Sequence, residues 1–542
     1  MRRLWIVLAA LLIASVAAQQ PTQDSPRLLV ILVVDQMRAD YIDRFEGDWS
    51  GGLKRILTEG ARFTRARYPY LTTVTCAGHA TIATGAFPSR HGIIGNTWYD
   101  RETRRVPACV EDENARAIGY DAAPGGGRSA HKLLVPTLAD ELRRDRGSRV
   151  VTASLKARSA IMLAGDGGDA VTWLSDDLDG WETSSAFVSQ PVPAVQSFIS
   201  ANPLNADHGR TWNRLLPDSR YTDADDAPGE MPPRGWTRTF PHVLTGAEGR
   251  PDDQFHAQWE MSPLSDAYLG RLAIALVEAY GLGTRPVTDV LGLSFSATDL
   301  AGHRFGPRSH EVQDVLAHLD VTIGSLLAAL DRLVGRNRYV VVLTADHGVS
   351  EIPGSPELAE GGRISGARLT EVVERVAQAV AGPGRYVARI STNDVYFEPG
   401  MYEKLVASPA AISAVVRALE DQPEVLRVFR REQLAVSADT SGDDLWRAAQ
   451  LMHVPGRSGE LLLVPAPGWL TAGSTAVASH GTPHPYDQNV PLLFAGHGVR
   501  PGTYTSPATP ADIAPTLATL AGITLPQAQG RVLREALTLG SQ

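Results

Sequence analysis

A chain of 542 residues is longer than one simple core grows to, so it calls for a large domain carrying inserts. With 43% hydrophobic and 20% charged residues it is neither disordered nor fibrous, and a formal charge of -9 excludes nucleic acid or an anionic membrane as the main partner. An anionic substrate would need a locally positive site, of the kind that bound metal ions supply.

At the N-terminus, Arg2 and Arg3 precede a short apolar run that closes with Val16 and Ala18 at the small-residue positions of a cleavage site. Residues 1–18 therefore read as a secretory signal, too short to anchor in a bilayer, which takes about 20 apolar residues. Export to a periplasmic or secreted location follows, with no membrane contact after cleavage and no other stretch apolar enough to span. Cys76 and Cys109 are the two cysteines, and an oxidising compartment leaves their pairing open.

From residue 26 onward the pattern is that of a catalytic α/β domain. Residues 28–34, 150–155, 290–296, 339–344 and 490–495 are rich in Val, Ile and Leu and predict strands buried on both faces of a parallel sheet. Helical periodicity over 265–280 and 311–334, closed by Gly281 and Gly335, separates some of them. The alternation predicts an open, mostly parallel sheet with helices on both faces. Two stretches interrupt it. Residues from about 176 to 261, rich in Trp, Pro and Asp, predict a cap overhanging the site. Those from about 361 to 456 predict a small α+β insert with a strand at 394–397 and a helix at 410–419.

The placement of Asp and His carries the chemistry. Asp35 closes LLVILVVD, Asp299 closes VLGLSFSATD, and Asp346 with His347 close YVVVLTADH. Ligands bind beyond the carboxyl ends of strands in such sheets, so several strands deliver carboxylates to one edge, where a cation relieves their repulsion. Asp299 and His303, four residues apart, share one face of a helical turn, and mixed oxygen and imidazole donors suit zinc. Any one strand-end Asp is more often a turn former; the coincidence of several, two with a His, argues for a metal centre.

Thr75, in YPYLTTVTCAGHATIATG, lies before a predicted helix where a phosphate would be favoured, and metal beside it would activate the hydroxyl. From position alone, a helix-capping threonine is the plainer reading. Lys156 and Arg158 follow VVTAS at i and i+2 and share a face if the extended geometry continues, matching the charge and shape of a phosphomonoester dianion. Asn96 sits in a Gly-Asn turn. His79, Trp173 and the cap tryptophans are expected to shape the pocket or pack the core and are assigned no chemical role.

In this order, Asp35, Thr75, Asn96 in HGIIGN, Lys156 and Arg158 in SLKARSAI, Asp299 with His303, ADHG, and His480 in SHGTPHPYD resemble the alkaline phosphatase superfamily. More narrowly they are similar to its threonine-nucleophile bacterial enzymes of the PafA/PhoK type, related to the type I phosphodiesterases and nucleotide pyrophosphatases. The resemblance implies a three-layer α/β/α core and two Zn2+ ions, one on Asp299, His303 and His480, the other on Asp35, Asp346, His347 and the Thr75 oxygen. It implies phosphate monoesters as substrates, a phosphothreonine on Thr75, and Lys156, Arg158 and Asn96 as phosphate-binding groups. His480 is preferred over His484 because the family's ligand sits in a His-Gly pair. Diester-cleaving relatives lack the Lys156–Arg158 pair, so a phosphodiesterase or nucleotide pyrophosphatase is the rival reading. A non-catalytic exported metal or phosphate binder is the second rival, and a phosphoglycerate mutase the third. A sulfatase would need Pro and Arg after Cys76, which CAGHA lacks. The cap carries no readable leaving-group code, so broad specificity is expected.

Overall fold

LLVILVV carries no charge, and all its residues are buried as the strand Leu28–Val34 at the heart of a ten-stranded sheet. The computed structural model describes residues 25–121, 125–176, 180–435, 442–471 and 475–538; the expected leader lies outside them. In space the sheet runs Gly502–Tyr504, Ala61–Phe63, Leu492–Gly496, Tyr339–Thr344, Leu28–Val34, Asp289–Phe295, Val150–Ser154, Ala170–Leu174, Trp181–Ser184 and Ala117–Gly119. The strands from Tyr339–Thr344 to Ala170–Leu174 are mutually parallel, so their carboxyl ends share one edge. This is the α/β sheet predicted, with Leu28–Val34 at its centre, and such sheets bind ligands outside the carboxyl ends of their strands.

Two expectations need correction. The run near 490–495 forms Leu492–Gly496, antiparallel to Tyr339–Thr344, because an apolar run buried on both faces does not disclose its direction. Among the described residues one helix does pass the length and hydropathy test for a span, His310–Gly335, but 67% of its apolar window is buried. It is a core helix, packed against Pro263–Tyr280. That neighbour begins two residues before the predicted start, with Pro263 in its first turn and Ser262 at the cap position.

The cap region contributes Trp181–Ser184 to the main sheet before leaving it. Beyond it, Trp212 and Trp236 pack around His242 with ring centroids 5.4 and 4.5 Å away, and Trp212 donates to Asp314 at 2.6 Å. The helix Asp253–Met261 lies on Ala297–Phe305, which brings the end of the cap to the sheet edge.

The small insert has its own sheet, ordered Val387–Ser391, Asp394–Phe397, Leu461–Pro465, Val425–Arg430, and its own apolar core around Leu369, Ile412 and Leu461. Its strand Leu461–Pro465 lies past the predicted bound. Asp394 is buried there and accepts the Gly459 N–H at 2.7 Å; burial pushes its carboxyl from 3.8 up to about 7, with Gly459 and Arg101 pulling down and Glu460 pushing up. The folded chain thus holds this proton more tightly than the unfolded chain. Its contribution to stability is full at low pH and is lost as pH rises from 3.8 to about 7. Asp394→Asn keeps an acceptor for Gly459 and should flatten that fall by about one proton, about 1.4 kcal/mol per pH unit, in denaturant melts across this range.

Candidate active site

Asp35 is delivered by the end of Leu28–Val34, its N–H held by the Phe295 carbonyl at 2.9 Å. Asp346 and His347 follow Tyr339–Thr344, and Asp299 and His303 occupy successive turns of Ala297–Phe305. Asp266 starts that helix by accepting the Ser296 N–H at 3.0 Å. Thr75 is the first residue of Thr75–Thr84; Val74 holds the cap position and has no side-chain acceptor, so the Thr75 hydroxyl is not spent as a helix cap. Its Oγ1 lies 3.4 Å from His347 Nε2.

Three imidazoles are oriented in the same way. Nδ1 of His303 faces the Ala478 carbonyl at 2.8 Å, that of His480 faces Thr73 at 2.9 Å, and that of His347 faces Gly348 at 3.0 Å. A carbonyl only accepts, so Nδ1 carries a proton and in the neutral ring Nε2 keeps its lone pair, the arrangement of metal-ligating histidines. Those lone pairs converge. His303 and His480 stand 3.2 and 3.8 Å from Asp299 Oδ1, and His347 stands 3.5 Å from Asp35 Oδ1 and 3.4 Å from Asp346 Oδ2. Ligands about 2.1 Å from one tetrahedral zinc ion would be roughly 3.4 Å apart, so the spacing fits a shared ion. Asp299, His303 and His480 form one compact donor group and Asp35, Asp299 and His347 a second. Asp299 thus borders both, a sharing the sequence did not suggest. His484 turns away to the Pro465 carbonyl, at 2.9 Å.

Charge in the pocket is balanced by Lys156, whose Nζ lies 2.6 Å from Asp35 Oδ2 and 2.5 Å from Asp299 Oδ2. Burial raises Asp35 well above the usual range, with Asp299 and Asp346 adding to it against Lys156. In Asp299 burial is outweighed by Lys156 and His303, and in Asp346 by His347 and His79, so both are held low. Burial lowers His347 and His480, which favours neutral rings; at His303, Asp299 overcomes burial and raises the ring. Lys156 is raised in turn, because Asp299 and Asp35 outweigh its burial.

Lys156 and Arg158 do not share an extended segment. The strand ends at Ser154 and a helix begins at Ala157, so Lys156 is its cap residue and Arg158 lies in its first turn. The short, polar-flanked VVTAS run gave no sign of that helix start. Arg158 still adds its charge to the surroundings of Lys156, and its buried Nε has no partner. Asn96 Oδ1 accepts the Cys76 N–H at 2.8 Å, which leaves its amide NH2 as the group available to a ligand. The Asn96 carbonyl accepts the Cys109 N–H, also at 2.8 Å, and Cys76 and Cys109 form a disulfide. Asn96 is therefore bracketed by the two half-cystines.

Three neighbours of these groups were given no chemical role in the sequence. His79, expected to shape the pocket or pack the core, has Nδ1 2.8 Å from the Thr75 carbonyl and 3.3 Å from Asp346 Oδ2, with Nε2 2.9 Å from Ser294 Oγ. Its place four residues after Thr75 was the available signal. Glu260, at the end of the cap helix Asp253–Met261, is pushed up to about 7 chiefly by burial, with Lys156 working against and Asp299 with it. Gln36 touches both Asp299 and Asp346, and only its adjacency to Asp35 could have pointed to it.

Fold and site together define an alkaline-phosphatase-like α/β protein. The chain belongs to the type I phosphodiesterase / nucleotide pyrophosphatase family, whose profile matches residues 29–487. It is 32% identical to alkaline phosphatase PhoV of Synechococcus elongatus, covering 94% of this chain and 93% of that one. Alkaline phosphatase PhoK of a Sphingomonas species is 31% identical, over 94% and 91% of the two chains. The crystal structure of wild-type alkaline phosphatase PafA superposes with a TM-score of 0.85 at 28% identity, over 95% of this chain and 99% of that one.

The helix Thr75–Thr84 owes its position to Gly78, where an added Cβ would meet the Asp346 carbonyl oxygen at 2.3 Å and the Asp346 Cβ at 2.7 Å. Backbone on both sides cannot yield. Gly78→Ala should therefore destabilise the protein by about 2 to 3 kcal/mol, read as a lower denaturation midpoint than that of Gly126→Ala, whose site is open and whose backbone is not left-handed.

Proposed function

We propose that this chain is an exported, zinc-dependent alkaline phosphatase that hydrolyses phosphate monoesters through a phosphothreonine on Thr75. One observation carries the reading: an uncapped helix-terminal hydroxyl, Thr75 Oγ1, stands 3.4 Å from His347 Nε2 at the rim of buried carboxylates and imidazoles. Near full-length similarity to PhoV, PhoK and PafA, each named an alkaline phosphatase, supports a phosphoric monoester hydrolase. The disulfide suits an oxidising compartment and agrees with the leader read in residues 1–18.

Asp299, His303 and His480 would hold one zinc ion, and Asp35, Asp346, His347 and the Thr75 oxygen the other. When bound, zinc lowers the pKa of an adjacent hydroxyl and polarises phosphoryl oxygens. Thr75 Oγ1 attacks phosphorus in line, forming the Thr75 O–P bond while the P–O bond to the leaving group breaks and an alcohol departs. Water then attacks the phosphothreonine, restoring the hydroxyl and releasing inorganic phosphate. His79 and the disulfide-bound Cys76 fix the first turn that carries Thr75, so the attacking oxygen is oriented before substrate arrives. Asn96 turns its amide NH2 toward the phosphate because its oxygen is already used by Cys76 N–H. Lys156 and Arg158 supply two positive charges for the monoester dianion. For Lys156 to take phosphate it must release Asp35 and Asp299, and these carboxylates then require another cation.

The family description and a local match to venom phosphodiesterase of Macrovipera lebetinus, 36% identical over 16% of this chain, favour diester cleavage as a second reading. A matched pair of aryl phosphate monoester and diester separates the two. Wild type should prefer the monoester, lose activity to a chelator and regain it with zinc; a diester preference would overturn the assignment. Lys156→Ala with Arg158→Ala should lower kcat/KM for the monoester about 100-fold or more and for the diester much less. In an acid quench with labelled monoester, phosphate should be trapped on Thr75 and not on Thr75→Ala; an unlabelled wild type contradicts the covalent route.

A further inference from the structure

Gln36 follows Asp35 directly and is 1% exposed. Its backbone adopts the left-handed conformation, with φ of 68°, which a side chain larger than Asn or Gly seldom takes. In that conformation it does two things at once. Its N–H donates to Asp346 Oδ1 at 3.2 Å, and its side-chain Nε2 donates to Asp299 Oδ1 at 2.6 Å. The remaining amide oxygen, Oε1, is buried without a partner. Turning the amide over would set that oxygen against the Asp299 carboxylate, so the orientation is fixed by charge.

Strain and an unsatisfied buried oxygen are both unfavourable, and neither serves the packing of the strand. They persist where surrounding structure over-determines a conformation, typically at a working site. Asp299 borders the donor group of His303 and His480, whereas Asp346 faces His347 and Thr75's neighbour His79. Gln36 bonds to both carboxylates. Space for its side chain comes from Gly302, on the same helix as Asp299 and His303: a Cβ at 302 would lie 2.1 Å from Gln36 Oε1.

Resting on the metal reading above, we propose that Gln36 is a positioning residue that sets the spacing of the two metal-binding groups by holding Asp299 and Asp346 in one hydrogen-bonded frame, with Gly302 as its seat. Zinc affinity, not folding, is the property it controls. Outer-shell partners of this kind are worth about 10- to 100-fold in metal affinity.

The test is zinc titration of the full chain against a chromophoric chelator, with thermal melts of the metal-stripped protein in parallel. Gln36→Asn tolerates the left-handed backbone but is too short to reach Asp299. It should bind zinc about 10- to 100-fold more weakly while its metal-stripped melt stays at or above that of wild type. Gly302→Ala, which displaces the same amide from the other side, should lose affinity to a similar degree. Wild-type zinc affinity in Gln36→Asn, or a loss explained by a melt lowered in step, overturns the positioning role while leaving the metal reading intact. A wild-type chain that takes up no zinc overturns both.

Discussion

Three carboxylates, Asp35, Asp299 and Asp346, are 0 to 3% exposed in one pocket, and the rest of the site is arranged around that fact. Two like charges 4 Å apart repel by about 4 kcal/mol at an effective dielectric of 20, and burial adds to this. The pocket therefore needs cationic charge in every state. In the folded chain Lys156 supplies it directly, reaching Asp35 and Asp299 at once. The opposite shifts of the carboxyls, Asp35 high and Asp299 and Asp346 low, express the same constraint: the group as a whole is not fully ionised unless positive partners are present.

That requirement links substrate binding to metal binding. Lys156 is the residue the resemblance assigns to phosphate, yet its ammonium is held by the carboxylates the resemblance assigns to metal. The two assignments are compatible only if one cation replaces another on Asp35 and Asp299. A phosphatase built this way offers its lysine to a dianion only when the carboxylates are otherwise neutralised, which ties competence for substrate to occupancy of the centre.

What the sequence disclosed follows from which features are local. Asp35, Asp346 and His347 were legible because buried parallel strands read as uninterrupted apolar runs whose ends are marked by the first charged residue, whereas Asp299, read as closing its strand, lies past the strand end at Phe295 in the first turn of Ala297–Phe305. His303 was legible through helical spacing from Asp299. His480 lies in a loop with no periodicity, and only the resemblance singled it out. The direction of Leu492–Gly496 and the helix start at Ala157 were not readable, because sheet pairing and tertiary contacts decide them. Gln36 was hidden for a related reason: its role depends on a left-handed backbone and on two partners 263 and 310 residues away.

The helix Thr75–Thr84 is held by ties that are not helical. Gly78 lets it lie against the Asp346 backbone, His79 fastens it to Ser294 on a neighbouring strand, and Cys76 joins it to Asn96 and Cys109. Each tie falls within four residues of Thr75, and each ends on a different segment of the chain. On the proposed route a single hydroxyl would have to be placed to a few tenths of an ångström for in-line attack, and one helix terminus frays too readily to do this alone. Cross-linking the first turn to three independent elements converts a fraying end into a rigid one. That is why the residues flanking Thr75 are as specialised as Thr75 itself.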